Sequence, residues 1–483
     1  MEQKQLSSYT IKINDIVVSI RIYEDSIEPV PLYISSIANI SEMTKVILEK
    51  IRQEFIASVN LGRIHFDENS EIIKIRDMFR LEVKRLLDKY FPGIDEKTSN
   101  MLMNYIISQD LGLGDIEILL KDDNLEEIVV NSAAEPVWVY HRVHGWCKTN
   151  LHMTSEKQIR HYSTMIGRDV SKEITLLAPL MDAHLSTGDR INATLYPIST
   201  RGNTITIRKF AKDPWTITDF LKRKTINYPT AALVWLAIEN ELSVIIVGGT
   251  GSGKTSMLNV LANFFPPNQR IISIEDTREL MLPVNLHWVP LETRMANPEG
   301  KGEVTMLHLL TNSLRMRPDR IIVGEIRRRE EAEILMEAMH TGHSVYGTFH
   351  ANTADEAVIR MTNPPIGLSK PLLGAISLFL VQNRNRRNGL RRTFQIAELL
   401  PNGDANVLYQ HDARKDEILP VNKSKTFIDS INLYTGLTEA EINENLARKI
   451  KVLEWLVQKN IREVNRIGQI MADYYHNKLV LIP

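Results

Sequence analysis

The octet GGTGSGKT, Gly248 to Thr255, directly follows the apolar run SVIIV and precedes a stretch with helical periodicity. Strand, glycine-rich loop and helix in that order restrict this part of the chain to folds built around a phosphate-binding loop at the end of a buried strand. Each residue type has a physical task there. Gly248, Gly249, Gly251 and Gly253 let the backbone bend, and with Thr250 and Ser252 they form a loop whose N–H groups wrap phosphate oxygens at a helix N-terminus. Lys254 is suited to neutralise charge on terminal phosphates, and the Thr255 hydroxyl can hold Mg²⁺. A chance glycine-rich loop has no reason to sit between such a strand and such a helix.

From about Ala231 onward, short apolar runs alternate with amphipathic stretches: SVIIVGG, RIISIED, RIIVGE and SVYGTFH. That alternation predicts an α/β domain, a parallel sheet covered by helices, over 231–483. RIIVGE ends in Glu325, at the strand end where P-loop enzymes hold Mg²⁺ or its water. ISIEDTREL ends another strand in three carboxylates, Glu275, Asp276 and Glu279, a setting for a cation or for a base that orients attacking water. The alternative for each is a solvated strand end. HTGHSVYGTFHA carries His340, His343 and His350, and an extended run between the last two separates them by about 20 Å, too far for a shared zinc. A phosphate-sensing or structural role is expected of them.

A chain of 483 residues exceeds what one core supports, roughly 250 to 300 residues, so at least two domains are expected. The segment YTIKINDIVVSIRIYE predicts two half-buried strands, and helical periodicity from about 40 to 59 and 69 to 90 predicts a helical accessory domain over 1–100. EEIVVN, PVWVYH and NTITIRKF predict an α+β domain over 101–212, and the prolines of 213–230 suit a linker and hinge. With 58 basic against 59 acidic residues the chain has no global attraction for nucleic acid. Cys147, the single cysteine, excludes an intrachain disulfide and any multi-cysteine zinc site, and it fits a reducing cytoplasm. MEQKQLSSYT lacks the apolar core of a signal peptide, and no run approaches the roughly 18 apolar residues of a spanning helix.

Near the C-terminal end, FLVQNR and RRTFQIAELL flank Asn388-Gly389, a pair suited to a tight hairpin. The basic residues around it, Arg384, Arg386, Arg387, Arg391 and Arg392, suit a solvated hairpin, an acidic partner or a nucleic-acid backbone. Thr438 with Glu441 three residues on predicts a capping box opening a helix.

Taken in order, GGTGSGKT, IEDTREL, RPDRIIVGEIR and GHSVYGTFHA resemble the secretion ATPase superfamily, the hexameric motors of type II and type IV secretion, type IV pili and archaella. The resemblance implies a RecA-like P-loop motor domain preceded by a smaller α+β (PAS-like) domain. It further implies ATP and Mg²⁺ as cofactors and homohexamers docked on a polytopic membrane platform protein at the cytoplasmic face. GDRINATLYPIST with ITIRKF is similar to the segment from which that family presents arginines to nucleotide, matching Arg190 and Arg208, with Arg201 between them as a further candidate. The same likeness makes Glu279 the residue that activates water, Glu325 the Mg²⁺ residue and His350 a γ-phosphate contact, with His343 beside them. Bacterial pilus and type II members carry a tetracysteine zinc module that this chain cannot build. PVWVYHRVHGWCKTN, NPPIG and GLTEAEINENLARKIKVLEWLV resemble archaeal members instead. Two rival readings are a DNA-translocating ring ATPase and a nucleotide-gated scaffold with little turnover; no nucleic acid is expected as partner.

Overall fold

The computed structural model describes residues 4–13, 16–37, 40–60, 72–170, 172–185, 187–210, 214–296, 300–385 and 387–479. The chain divides into two compact units, Met1–Lys212 and Asp213–Pro483.

In the first unit, β1 (Lys4–Ile13) and β2 (Ile16–Glu24) pair antiparallel. Alternation in β2 buries Ile16, Val18, Ile20 and Ile22 and leaves Val17 and Arg21 exposed, the two-residue period of a half-buried strand. Next come β3 (Leu32–Ile37), α1 (Glu42–Asn60), α2 (Ile72–Tyr90), α3 (Glu96–Leu111) and α4 (Ile116–Lys121). They are followed by β4 (Leu125–Val130), β5 (Pro136–His141), β6 (Gly145–His152), α5 (Glu156–Asp169), β7 (Leu180–His184), β8 (Arg190–Thr194) and β9 (Thr204–Arg208). All nine strands form one sheet, in the order β1-β2-β3-β6-β5-β4-β9-β8-β7.

An accessory domain ending at residue 100 is not what is found. The expected helices are present, but β3 pairs parallel with β6 at Leu32↔Lys148 and Tyr33↔Thr149, and Leu48, Phe55, Val83 and Leu102 share one core with Ile128 and Ile159. Buried Asp122 fastens the join, since its Oδ2 accepts from Tyr9 Oη at 2.6 Å and from Tyr33 Oη at 2.8 Å. Helices with one apolar face need a sheet to cover, and the sequence alone did not say which.

The second unit opens with α6 (Ile217–Lys222) and α7 (Tyr228–Glu239). The stretch expected to be a linker is instead part of this unit's core: Ile217, Thr218, Phe220 and Leu221 are buried, and Asp219 Oδ1 accepts from Arg462 Nε at 2.6 Å. Pro229, read as punctuation, occupies the first turn of α7, where its missing N–H has no helical partner to lose. Residues 211–213 lie outside the described residues.

The motor-like part then runs β10 (Val244–Gly248), α8 (Lys254–Ala262), β11 (Arg270–Glu275), β12 (His287–Glu292), α9 (Met306–Ser313), β13 (Arg320–Val323), α10 (Arg329–His340), β14 (Ser344–Phe349) and α11 (Ala354–Thr362). β15 (Leu378–Arg384), β16 (Arg391–Leu399), β17 (Ala405–Asp412), β18 (Glu417–Pro420), α12 (Phe427–Thr435), α13 (Glu439–Gln458) and α14 (Val464–Tyr475) complete it. The sheet order is β12-β11-β13-β14-β10-β15-β16-β17-β18, parallel from β12 to β15 and antiparallel beyond. With β10 between β14 and β15, this is the RecA-like α/β class. Strands β10, β13 and β14 are buried along their whole length because helices cover both faces of the sheet. The C-terminal helices pack on α7, and α13 begins at the capping box, Glu441 N donating to Thr438 Oγ1 at 3.3 Å and Thr438 N to Glu441 Oε2 at 2.8 Å.

A phosphate-binding site at the strand ends

Parallel strands place all their C-terminal ends on one edge, and the loops leaving them converge there. Register fixes which residues meet. Val247 of β10 lies opposite Phe349 of β14, so the P-loop and His350 leave the sheet at the same level. Ile274 of β11 pairs with Val323 of β13, which brings Glu275 and Gly324-Glu325 side by side. A Cβ built on Gly324 would come within 3.4 Å of Glu275 Cα.

The loop itself has the geometry its glycines predict. Gly251 and Gly253 adopt φ of +71° and +92°, conformations that side chains with a Cβ resist, and Gly253 caps the start of α8. A Cβ on Gly248 would come within 2.6 Å of the backbone oxygen of Gln382, so the strand end tolerates nothing larger. Ser252 Oγ ties the loop by donating to Gly249 O at 2.8 Å.

Lys254 is 9% exposed, and its Nζ donates to Gly249 O at 3.1 Å and lies 3.4 Å from both ring nitrogens of His350. Burial lowers its pKa from the ordinary lysine value, against the opposing charges of Glu325 and Glu279. His350 is likewise pushed down, first by burial and then by the charge of Lys254, which favours the neutral ring. With the proton on Nε2, His350 donates to Glu325 Oε1 at 2.9 Å. Arg327 Nη2 holds the other oxygen, Oε2, at 2.8 Å, and Arg327 Nη1 reaches Asp276. Lysine, histidine, glutamate, arginine and aspartate thus form one chain of contacts along the strand ends.

Glu279 is exposed on the loop after β11, and its charge is felt by Lys254. Glu275 is different from its neighbours in the acidic box: it is 2% exposed, and burial pushes its carboxyl up to about 7. Thr255 stands in the first turn of α8, half-buried beside Lys254.

Not every expected residue is here. His343 precedes β14 and lies at the opposite end of that strand from His350, its Nδ1 within 3.2 Å of Ala338 O and of Thr341 Oγ1. Six extended residues keep it about 20 Å from the P-loop end, so its role is at the turn after α10. His340 is exposed in the last turn of α10.

In the first unit, Arg190 and Arg208 face each other as direct partners across β8 and β9. Arg190 makes a two-pronged pair with Asp182, at 3.1 and 2.6 Å, and Glu127 lies opposite Arg208 on β4. Arg201, its side chain 85% exposed, lies 3.5 Å from Glu135.

The basic hairpin is present, and it brings to the P-loop two arginines that the sequence did not assign there. Arg391 Nε donates to Gly251 O at 3.1 Å, and Arg384 Nη1 lies 3.2 Å from where a Gly251 Cβ would be, so β15 and β16 set two guanidiniums against the P-loop. Arg392 turns the other way and pairs with Asp416 at 2.7 and 2.9 Å. Arg387 is exposed, and Arg386 lies outside the described residues. The only sequence signal for Arg384 and Arg391 was their place in a hairpin following the sheet's apolar strands; its pairing with β10 is a long-range fact.

Comparison with known proteins agrees with this arrangement: residues 112–400 match the model of the type II/IV secretion system protein family, T2SSE. The chain belongs to that family. Among relatives of this secretion-family chain, the uncharacterized protein MJ0781 of Methanocaldococcus jannaschii is 38% identical over 350 residues, covering 70% of this chain and 46% of its own length. The chain therefore spans about half of that relative. The uncharacterized protein MJ0900 of the same organism is 31% identical, with 78% and 70% covered. Type IV secretion system protein PtlH of Bordetella pertussis is 30% identical over 278 residues, with 53% and 81% covered. Among the described residues of this family member, no helix is long and apolar enough to cross a membrane.

Proposed function

We propose that this secretion-family chain binds and hydrolyses ATP with Mg²⁺, and that as a homohexamer it drives assembly of a type IV pilus-like or archaellum filament, or protein export. Its place is the cytoplasmic membrane face, on a polytopic platform protein. The observation that carries the hydrolytic reading is the contact chain from Lys254 through His350 to Glu325 at the mouth of the P-loop. A scaffold that only bound nucleotide would have no use for an ordered carboxylate there.

The donor set fits Mg²⁺. Among the described residues no cluster of three or more His, Cys, Asp or Glu could hold a metal alone. Magnesium bound with a nucleotide needs only one or two protein oxygens, the rest coming from phosphates and water, and the Thr255 hydroxyl and Glu325 carboxylate are hard oxygen donors of that kind. Held there, the ion would neutralise charge on the phosphates. The chain's own groups do the rest. Lys254 and the loop N–H groups hold the phosphates, Glu279 orients the attacking water, and His350 senses the γ-phosphate. Arg190 and Arg208 supply further positive charge as it spreads over phosphate oxygens.

Purified protein is expected to release phosphate from ATP in a Mg²⁺-dependent reaction, and Glu279→Gln to bind ATP but turn it over at least about 100-fold more slowly. Wild-type turnover by that variant rejects the assignment. Arg391→Ala is expected to raise the dissociation constant of a fluorescent ATP analogue about tenfold, the loss of one charge-assisted hydrogen bond that shapes the loop. An unchanged constant removes Arg391 from the site. Isolation of the protein with its membrane partner tests the motor reading, since a partner unconnected with filaments or export overturns it.

A further inference from the structure

The loop that carries Glu279 has an unusual support. Its backbone leaves β11 after Glu275, and three consecutive N–H groups, those of Glu279, Leu280 and Met281, each donate to a buried side chain. Glu275 Oε1 accepts the first two, at 2.9 and 3.1 Å. Asn259 Oδ1 accepts the third at 2.8 Å. Asn259 is 3% exposed and lies on α8, the helix whose first residues are Lys254 and Thr255. Leu280, between the two clamped neighbours, is fully buried and anchors the loop in the core.

Glu275 is an expensive residue to place there. Its Oε2 is buried with no hydrogen-bond partner, so half of the carboxyl is desolvated without compensation. A group held at that cost is explained if the other half performs a task that an apolar residue cannot. Both clamps also touch the parts of the site that Glu279 must address: Glu275 packs against Gly324, the residue before Glu325, and Asn259 belongs to the P-loop helix.

We infer that Glu275 and Asn259 are positioning residues for Glu279, fixing three successive backbone N–H groups so that the Glu279 carboxylate is held in register with Lys254 on one side and Glu325 on the other. This rests on the hydrolytic reading of Glu279. The side-chain hydrogen bonds of both residues are to the backbone of the Glu279 loop. Both act on the rate of the chemical step through placement of the base, and a displacement of about 1 Å there is worth up to roughly 100-fold.

The test is a set of variants measured for kcat, for affinity toward a fluorescent ATP analogue without Mg²⁺, and for thermal unfolding. Glu275→Ala is expected to lower kcat between about 10- and 100-fold while the analogue binds within about twofold of wild type. Glu275→Gln retains an oxygen that accepts both N–H groups and is expected to recover most of that loss. In a Glu279→Gln background, Glu275→Ala is expected to cost nothing more, because the group it positions is gone. Asn259→Ala removes the other clamp and carries the same expectation, about tenfold in kcat, should Glu275→Ala not fold.

A kcat for folded Glu275→Ala within twofold of wild type overturns the inference. So does an equal loss from Glu275→Ala with and without Glu279. Failure of the underlying reading looks different, since Glu279→Gln itself would then turn over at the wild-type rate.

Discussion

Replacing Lys254 by alanine is expected to slow ATP hydrolysis by about 1,000-fold, the largest effect of any single substitution in this site. Lys254 as a residue is 9% exposed, and its ammonium sits between the loop carbonyl of Gly249 and the ring of His350. Little water reaches it, so its attraction to phosphate is weakly screened and increases as charge develops in the transition state. The fold gives no reason for collapse on its removal: α8 starts from Gly253, and its helical hydrogen bonds do not use the side chain. Phosphate release measured beside circular dichroism separates the two effects. A folded Lys254→Ala protein with wild-type turnover would sink the assignment of the P-loop as the hydrolytic site.

Glu398→Ala is expected to be the most destabilising change, by about 3 to 5 kcal/mol, seen as a lower urea midpoint with an unchanged slope. Glu398 is fully buried in β16. Its Oε1 accepts from Asn406 Nδ2 and Lys425 N, both at 2.6 Å, and its Oε2 from Phe427 N at 2.8 Å, Ser424 Oγ at 2.9 Å, and Thr426 N and Oγ1 at 3.2 Å. Three of those donors are backbone N–H groups at the entry to α12, which alanine would leave without acceptors. Burial alone would raise the pKa of this carboxyl, but the bonds from Asn406, Lys425, Phe427 and Ser424 outweigh it and hold the group below the ordinary glutamate range. The sign follows: stability from this group is present above the unfolded pKa, near 4.3, and is lost as pH falls through the lower folded value. The wild-type advantage over Glu398→Ala should therefore shrink in acid.

Glu275 behaves in the opposite sense. Its folded pKa of about 7 lies above the unfolded value, so its contribution is fully present below about pH 4.3 and is lost as pH rises toward 7. Glu275→Gln should gain on wild type in stability across that window.

What sequence made legible here was local. The P-loop, the acidic strand ends at Glu275 and Glu325 and the hairpin about Gly389 each follow from a few adjacent residues, because strand-end loops and turns have strict local requirements. Assignments that needed distance were the ones that changed. The family likeness grouped His343 with His350 although the extended run between them already set them apart, and the pairing of β14 with β10 leaves His350 at the P-loop level and His343 at the far edge. Arg391 looked like hairpin surface until the pairing of β10 with β15 and of β15 with β16 brought it to Gly251. The helices of residues 42–111 showed apolar faces but not their partner, and the sheet join from β3 to β6 spans more than a hundred residues of sequence.

The position of β10 has a consequence for how the protein is made. It is the first strand of its sheet to leave the ribosome, yet its neighbours are β14 and β15, which follow about a hundred residues later. Until Phe349 and then Arg384 have emerged, the run Val244 to Val247 has no strand beside it, and the carbonyl of Gly251 has no Arg391. The nascent chain thus carries its most apolar strand unpaired through the synthesis of β11, β12 and β13, the interval in which a chaperone would be most needed.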